Sequence, residues 1–270
     1  MSSQATNVSQ QSITLEQGVI DSVRIVPVQK ATVKAQTKTP IILLHEGLGS
    51  VTQWRDFPWK LANLIGCEVI VYSRYGYGHS DPAQVPRNVN FMHFEALQVL
   101  PALLDALNIS KPILCGHSDG ASISLLAAAT TLPLTGVVTL APHLFVEDIT
   151  IKGIQDASSA YQQGCLRTSL EKHHNNVDHT FNSWCDIWLN PHFKHWNICQ
   201  SIPHIQVPML SIQGYQDQYG SMQQLQSLKE LAPQTQLVLL DNCGHAPHLE
   251  QPVQTLNAIT DFYTNICSAL

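Results

Sequence analysis

Long apolar runs are missing from this 270-residue chain: no stretch of 18 or more apolar residues occurs, so no membrane-spanning helix is expected. Charge is scarce as well. Charged residues make up 13% of the sequence, with 14 Lys and Arg against 20 Asp and Glu, a formal net charge of −6. Binding to phosphates needs clustered cations, so nucleic acid is not expected as a partner. Paired cysteines are also lacking. The seven cysteines form no C-x-x-C pair, and Cys67, Cys115, Cys243 and Cys267 sit in apolar segments. That implies reduced thiols in a cytoplasmic protein, not a disulfide framework. Residues Met1 to Gln11 carry no apolar stretch, so no leader peptide is expected.

What the chain does have is core material. At 44% hydrophobic residues it can bury a large interior, and its length suits one α/β core with one insertion. Alternation from Ile13 to Val28 suggests two antiparallel strands joined near Gly18, after a loose polar tail over 1–12. Ile41–Leu44 is a wholly apolar run bounded by Pro40 and Gly47, as a buried parallel strand requires. Val69–Tyr72, Ile113–Cys115, Val137–Leu140, Met209–Ile212 and Leu237–Leu240 repeat the pattern. Helical spacing fills the gaps, over 56–65 and over 91–107, where Pro101 predicts a break. Strand–helix alternation of this kind implies a mostly parallel eight-stranded sheet flanked by helices. Residues 13–145 and 203–270 make up that core. Residues 146–202 hold no convincing strand but contain Trp184, Trp188 and Trp196, and read as a helical insertion.

Residues 115–120, Cys-Gly-His-Ser-Asp-Gly, fall between the Ile113–Cys115 strand and a helix-like run from Ala121 to Ala129. The pattern G-x-S-x-G in that context is a nucleophile elbow, whose small residues permit a very tight turn. It lifts the Ser118 hydroxyl clear of the backbone and puts the Asp119 amide at a helix start, where it can donate to an oxyanion. A serine needs a base, and the base an orienter. Asp217 follows the Met209–Ile212 strand and His245 follows Leu237–Leu240, so both lie where sites of parallel sheets gather. His245 would take the Ser118 proton during attack on a carbonyl, and Asp217 would hold the imidazole in the useful tautomer.

With these residues in order Ser, Asp, His, the chain resembles the α/β-hydrolase superfamily, within its group of serine esterases, C–C hydrolases and lactonases. Leu43-Leu44-His45-Glu46-Gly47-Leu48-Gly49 resembles that family's oxyanion loop, residues 74–81 its arginine–glycine loop, and residues 244–250 its histidine loop. The resemblance runs from about residue 38 to 265. It implies a second oxyanion donor at the amide of Gly47 or Leu48, and a cap over 146–202 that sets substrate choice.

Two residues depart from the pattern. Glu46 stands where glycine usually follows the histidine, and Asp119 follows the nucleophile. A carboxylate aimed at an oxyanion opposes catalysis, so both must point away, be paired, or bind substrate; a cationic, amine-bearing substrate is the sharper reading. His45 is expected to order its loop, His117 to be a buried satisfied imidazole, and His248 to compete with His245 as base. Trp184 and Trp188, with Phe181, form the packing face of an insertion helix whose inner end would line a substrate pocket. The insertion's histidines, His173, His174, His179, His192 and His195, fit no standard zinc spacing, so no metal and no cofactor is expected. Arg167 would meet either a substrate carboxylate or a surface acid.

The reading is therefore a cofactor-free serine hydrolase cleaving a small carboxylic ester or related acyl substrate through an acyl-enzyme, its partner a small-molecule acyl substrate. Neither membrane nor nucleic acid enters, and a homodimer is compatible with it. A C–C bond hydrolase, an enol-lactonase, a thioesterase or an acyltransferase would use the same residues. A non-catalytic small-molecule receptor or a cofactor-free oxygenase on this scaffold stand as readings from other classes.

Overall fold

The structure, a computed structural model, describes residues 6–27, 38–83 and 87–268. A hairpin opens it, β1 (Thr6–Leu15) and β2 (Gly18–Pro27), paired antiparallel from Thr6 opposite Pro27 to Leu15 opposite Gly18. The loose tail expected over 1–12 is thus corrected from residue 6 onward, and residues 1–5 lie outside the described residues. The physical reason is position: β1 is an edge strand, so most of its Ser and Gln side chains face solvent while its backbone pairs with β2 along its whole length on one side.

Six parallel strands follow: β3 (Ile41–Leu44), β4 (Val69–Tyr72), β5 (Ile113–His117), β6 (Gly136–Leu140), β7 (Met209–Gly214) and β8 (Gln236–Leu240). The eight-stranded sheet runs in the order β1-β2-β4-β3-β5-β6-β7-β8. Side chains two apart leave opposite faces. Ile42 and Leu44 of β3 pack in one apolar layer with α3 (Leu100–Ala106) and α4 (Asp119–Ala128). Ile41 and Leu43 pack in the other, with α1 (Phe57–Ile65) and the last described helix, Pro252–Cys267. Burial on both faces is why β3 to β7 read as unbroken apolar runs.

The break expected at Pro101 is milder than a stop. Helix α2 (Phe91–Phe94) passes through one π turn, Glu95–Val99, into α3. Pro101 has no N–H to give to the carbonyl one turn earlier, and the wider π turn directly before it lets the helix continue past that missing bond. Between β6 and β7 the chain forms three α-helices, Asp148–Gln162, Cys165–Leu170 and Val177–Trp188, here α5, α6 and α7, and two short 3-10 turns. No described helix is long and apolar enough to cross a membrane.

Candidate active site

Ser118 joins β5 to α4 with φ 52° and ψ −116°, a conformation that costs a non-glycine residue about 1–3 kcal/mol. Its glycine neighbours make the turn possible. A methyl group at Gly116 would lie 2.1 Å from the Gly120 carbonyl oxygen, and one at Gly120 would lie 2.1 Å from that of Leu44. The turn leaves the Asp119 amide at the start of α4, where first-turn N–H groups have no intrahelical acceptor.

The loops after β7 and β8 deliver the other two groups. Ser118 Oγ lies 2.9 Å from His245 Nε2, and the Asp217 carboxylate oxygens lie 2.8 and 3.0 Å from His245 Nδ1. The amides of Tyr219 and Gly220 donate to Asp217 at 2.8 and 3.1 Å. Burial alone would push the Asp217 carboxyl up, but the His245 imidazole and the Tyr219 amide outweigh it and hold the carboxyl below its ordinary value. An ionised Asp217 accepts the Nδ1 proton, which leaves Nε2 to accept from the Ser118 hydroxyl. The relay has the geometry to move a proton from the hydroxyl during attack on a carbonyl, then onto a leaving group.

Supporting contacts fix the same loops. Glu250 accepts from the amides of Gly244 and Ala246, at 2.7 and 3.0 Å, on either side of His245. Sequence reasoning passed over it; an acid five residues after the histidine, near the start of the last helices, was the available signal. His117 Nε2 donates to the His245 carbonyl at 2.7 Å. Its Nδ1 lies 3.5 Å from Glu46 Oε2. The three loops carrying residues 46, 117 and 245 are thereby strapped together. Burial raises the Glu46 carboxyl, yet the His117 contact prevails and keeps it well below the carboxylate range.

The loop after β3 is held from behind by a fully buried Arg74, which donates to the carbonyls of His45 and, at 2.9 Å, Glu46. The Arg74 amide donates to His45 Nε2 at 3.0 Å, so the ring proton sits on Nδ1 and is donated to the Glu46 carbonyl at 2.7 Å. Burial and the Arg74 charge hold His45 well below the histidine range, so it is neutral. His45 orders its loop, as its sequence context suggested. In a trans peptide the carbonyl and the following N–H point oppositely. Drawing the Glu46 carbonyl inward therefore turns the Gly47 amide outward, which favours Gly47 over Leu48 as an oxyanion donor.

Asp119 is buried, and its side chain does not bond back to its own helix. Oδ1 accepts from Trp188 Nε1 at 3.2 Å and Oδ2 lies 3.9 Å from Arg74 Nη2. Burial keeps its carboxyl above the usual range despite the Arg74 charge. Both Glu46 and Asp119 border a cavity of about 270 Å³ at Ser118, and no Lys or Arg is among its described lining residues. Trp184, Trp188, Ile154 and Leu170 wall it on the insertion side. Trp184 lies so close to Gly47 that a methyl there would meet its Nε1 at 2.0 Å. The insertion aromatics also pack together, Phe181 against Trp184 at 5.8 Å and Trp188 against Trp196 at 6.3 Å. The helix face is thus both interior and wall.

Other candidates fall elsewhere. His248 is buried against Trp54, ring centroids 4.6 Å apart, and burial with the His117 charge holds it well below the histidine range. It has no bond to Ser118. Arg167 pairs with Asp178 and Glu171 at the surface. His174 accepts from the Gly78 amide and donates to the Leu48 carbonyl, both at 2.9 Å, tying the insertion to the oxyanion loop. Burial pushes it down to about 4. Among the described residues, no three His, Cys, Asp or Glu are grouped to hold a metal ion. His143 was missed. Its buried ring lies 5.6 Å from that of His245 and burial pushes it down to about 3, but nothing local in the sequence marks it.

Comparison with known proteins bears on the fold and the family. The human protein named "Serine hydrolase BPHL" is 31% identical over 189 residues, covering 66% of this chain and 62% of that one. "Putative carbamate hydrolase RutD" of Pseudomonas savastanoi pv. phaseolicola (strain 1448A / Race 6) is 25% identical over 258 residues, covering 83% of this chain and 93% of its own. The enol-lactonase from Burkholderia xenovorans LB400 superposes with a TM-score of 0.73 at 17% identity, over 94% of this chain and 100% of that chain, a likeness of fold. A sequence profile described as "Alpha/beta hydrolase family" matches residues 41–259, and the chain belongs to that family.

Proposed function

We propose that this protein is a serine hydrolase that cleaves a small carboxylic ester, or a related acyl substrate, through an acyl-enzyme. The observation that carries the reading is the continuous hydrogen-bonded line from Ser118 through His245 to Asp217. Ser118 attacks the carbonyl carbon, His245 takes the hydroxyl proton, and Asp217 stabilises the imidazolium. The amides of Gly47 and Asp119 receive the charge that develops on the carbonyl oxygen. His245 then protonates the leaving group, and water, activated by the same imidazole, releases the acid. A carbamate offers the same kind of acyl carbon. The helices of 146–202 act as a cap, their tryptophans selecting the group that enters.

The cavity's charge narrows the substrate class. With Glu46 and Asp119 at its border and no cation among its described lining residues, a substrate carboxylate would be repelled. A neutral or amine-bearing ester fits better than a carboxylated lactone or ring-cleavage product. The test is covalent labelling of Ser118 by a small alkyl phosphonate, with Ser118→Ala as control. Labelling in the wild type alone, with kcat for a p-nitrophenyl ester lowered by about 10⁴-fold or more in the variant, is the expected result. A wild type inert to the phosphonate would sink the reading. Equal kcat/KM for an aminoacyl ester and its des-amino analogue would remove Glu46 and Asp119 as selectors of an amine.

A further inference from the structure

A second, larger depression adjoins the Ser118 cavity. It has a volume of about 710 Å³, is open to solvent, and lies along the outer side of α5 and α6. The two share three lining residues, Leu166, Gln218 and Tyr219. On α5, Thr150 and Ile154 face the inner cavity while Ile149, Gly153, Ala157 and Ala160 border the outer groove. One helix therefore separates two compartments that meet at Tyr219.

Tyr219 is firmly placed. Its amide donates to Asp217, its carbonyl accepts from Thr150 Oγ1 at 2.5 Å, and its ring centroid lies 4.8 Å from that of His245. A methyl group at Gly153 would meet Tyr219 Cδ1 at 2.8 Å, so the bare Gly153 backbone is what lets the ring lie against α5. The join is thus on the His245 side of the nucleophile, not on the Gly47 and Trp184 side.

We propose that the outer groove binds the leaving group of the substrate, and that this group is an elongated, uncharged, largely apolar alcohol. The inference rests on the hydrolase reading and extends it. His245 must protonate the departing oxygen, so that oxygen lies beside the imidazole, and whatever is attached to it leads toward Tyr219. The 270 Å³ chamber holds the acyl part against Trp184 and Trp188. The groove offers Ile149, Ala157, Ala160 and Leu166 as apolar surface. The charges among its described lining residues, Lys152 and Asp156, pair with each other at 2.5 and 2.6 Å, so those residues offer no unpaired ion to a charged alcohol.

The experiment uses two esters of one small acid, methyl and octyl, and the full-length protein. Ala160→Trp fills the groove from a partly exposed position that lines the groove and not the Ser118 cavity. It should lower kcat/KM for the octyl ester by about tenfold or more, through KM, and leave the methyl ester unchanged. The native thiol of Cys165, exposed on the groove's wall, gives an independent arm. Alkylation with a bulky maleimide should reproduce the selective loss, and Cys165→Ala should abolish that sensitivity. Equal loss for both esters, or loss for neither, overturns the assignment while Ser118 still reacts with the phosphonate. A protein inert to both esters and to the phosphonate overturns the hydrolase reading and the groove with it.

Discussion

In the loops at the ends of β5, β7 and β8, each reactive group has a fixed polar partner within about 3 Å: Ser118 on His245, His245 on Asp217, Asp217 on two amides. The insertion meets the same cavity differently. Its helices present mainly apolar and aromatic surface, tied to the core by a few bonds such as Trp188 to Asp119, Thr180 to the Gly76 carbonyl and His174 to the Leu48 carbonyl. Directional bonds fix atoms to fractions of an ångström, as proton transfer demands, while apolar packing fixes volume and lets shape vary. On the proposed function, chemistry and selection rest on different interactions, and they should fail differently when perturbed.

The largest effect falls on the sheet side. Asp217→Asn should reduce kcat by about 10³–10⁴-fold with little change in KM, because an amide there supports the wrong imidazole tautomer. Steady-state kinetics on one ester decides it, and a loss below tenfold would remove Asp217 from the relay.

Next comes the response to acid. His45, His143, His174 and His248 are buried, and burial holds each below the ordinary histidine range, His143 at about 3 and His174 at about 4. Unfolded, each titrates near 6.5. As pH falls below about 6.5 the unfolded chain takes up protons that the folded chain refuses, so each histidine removes about 1.4 kcal/mol of stability per pH unit until its folded value is reached. Urea midpoints at pH 7.5, 6 and 5 should fall steeply, and His248→Phe should shallow the slope. Midpoints that stay level to pH 5 would show that these rings are charged in the fold.

On the insertion side the effects are smaller and selective. Trp184→Ala should change kcat/KM by about tenfold, mostly through KM, and reorder preferences among acyl chain lengths. A uniform fall in kcat for every ester would place Trp184 with the relay instead. Smallest is Arg167→Ala, whose surface pairs with Asp178 and Glu171 lie away from the cavity. Neither kcat/KM nor the melting temperature should move measurably.

The same division explains what could be read from the sequence. Buried parallel strands and the tight turn at 116–120 announce themselves because sterics and burial act on neighbouring residues. The first part of the edge strand β1, residues 6–12, was hidden, since its polar side chains look like those of a loop, whereas Ile13 and Leu15, which reach the core, showed the strand. The candidate relay was legible because each group follows a strand end. Glu250, His143, Tyr219 and the Arg74 contacts were not, for each acts on a partner from a distant loop, and no local pattern records which loops meet. Glu46 could be seen as a departure, but only the fold shows its tie to His117.

The two glycines that bracket Ser118 carry a consequence for how this protein can change over generations. At 116 and 120 even one added carbon runs into main chain that cannot swing aside. Drift is barred at both codons however mildly the rest of the protein is selected. A saturation library at either site, sorted for folded protein, should return the parental residue almost alone, whereas the tryptophan-lined wall opposite is where new specificities have room to arise.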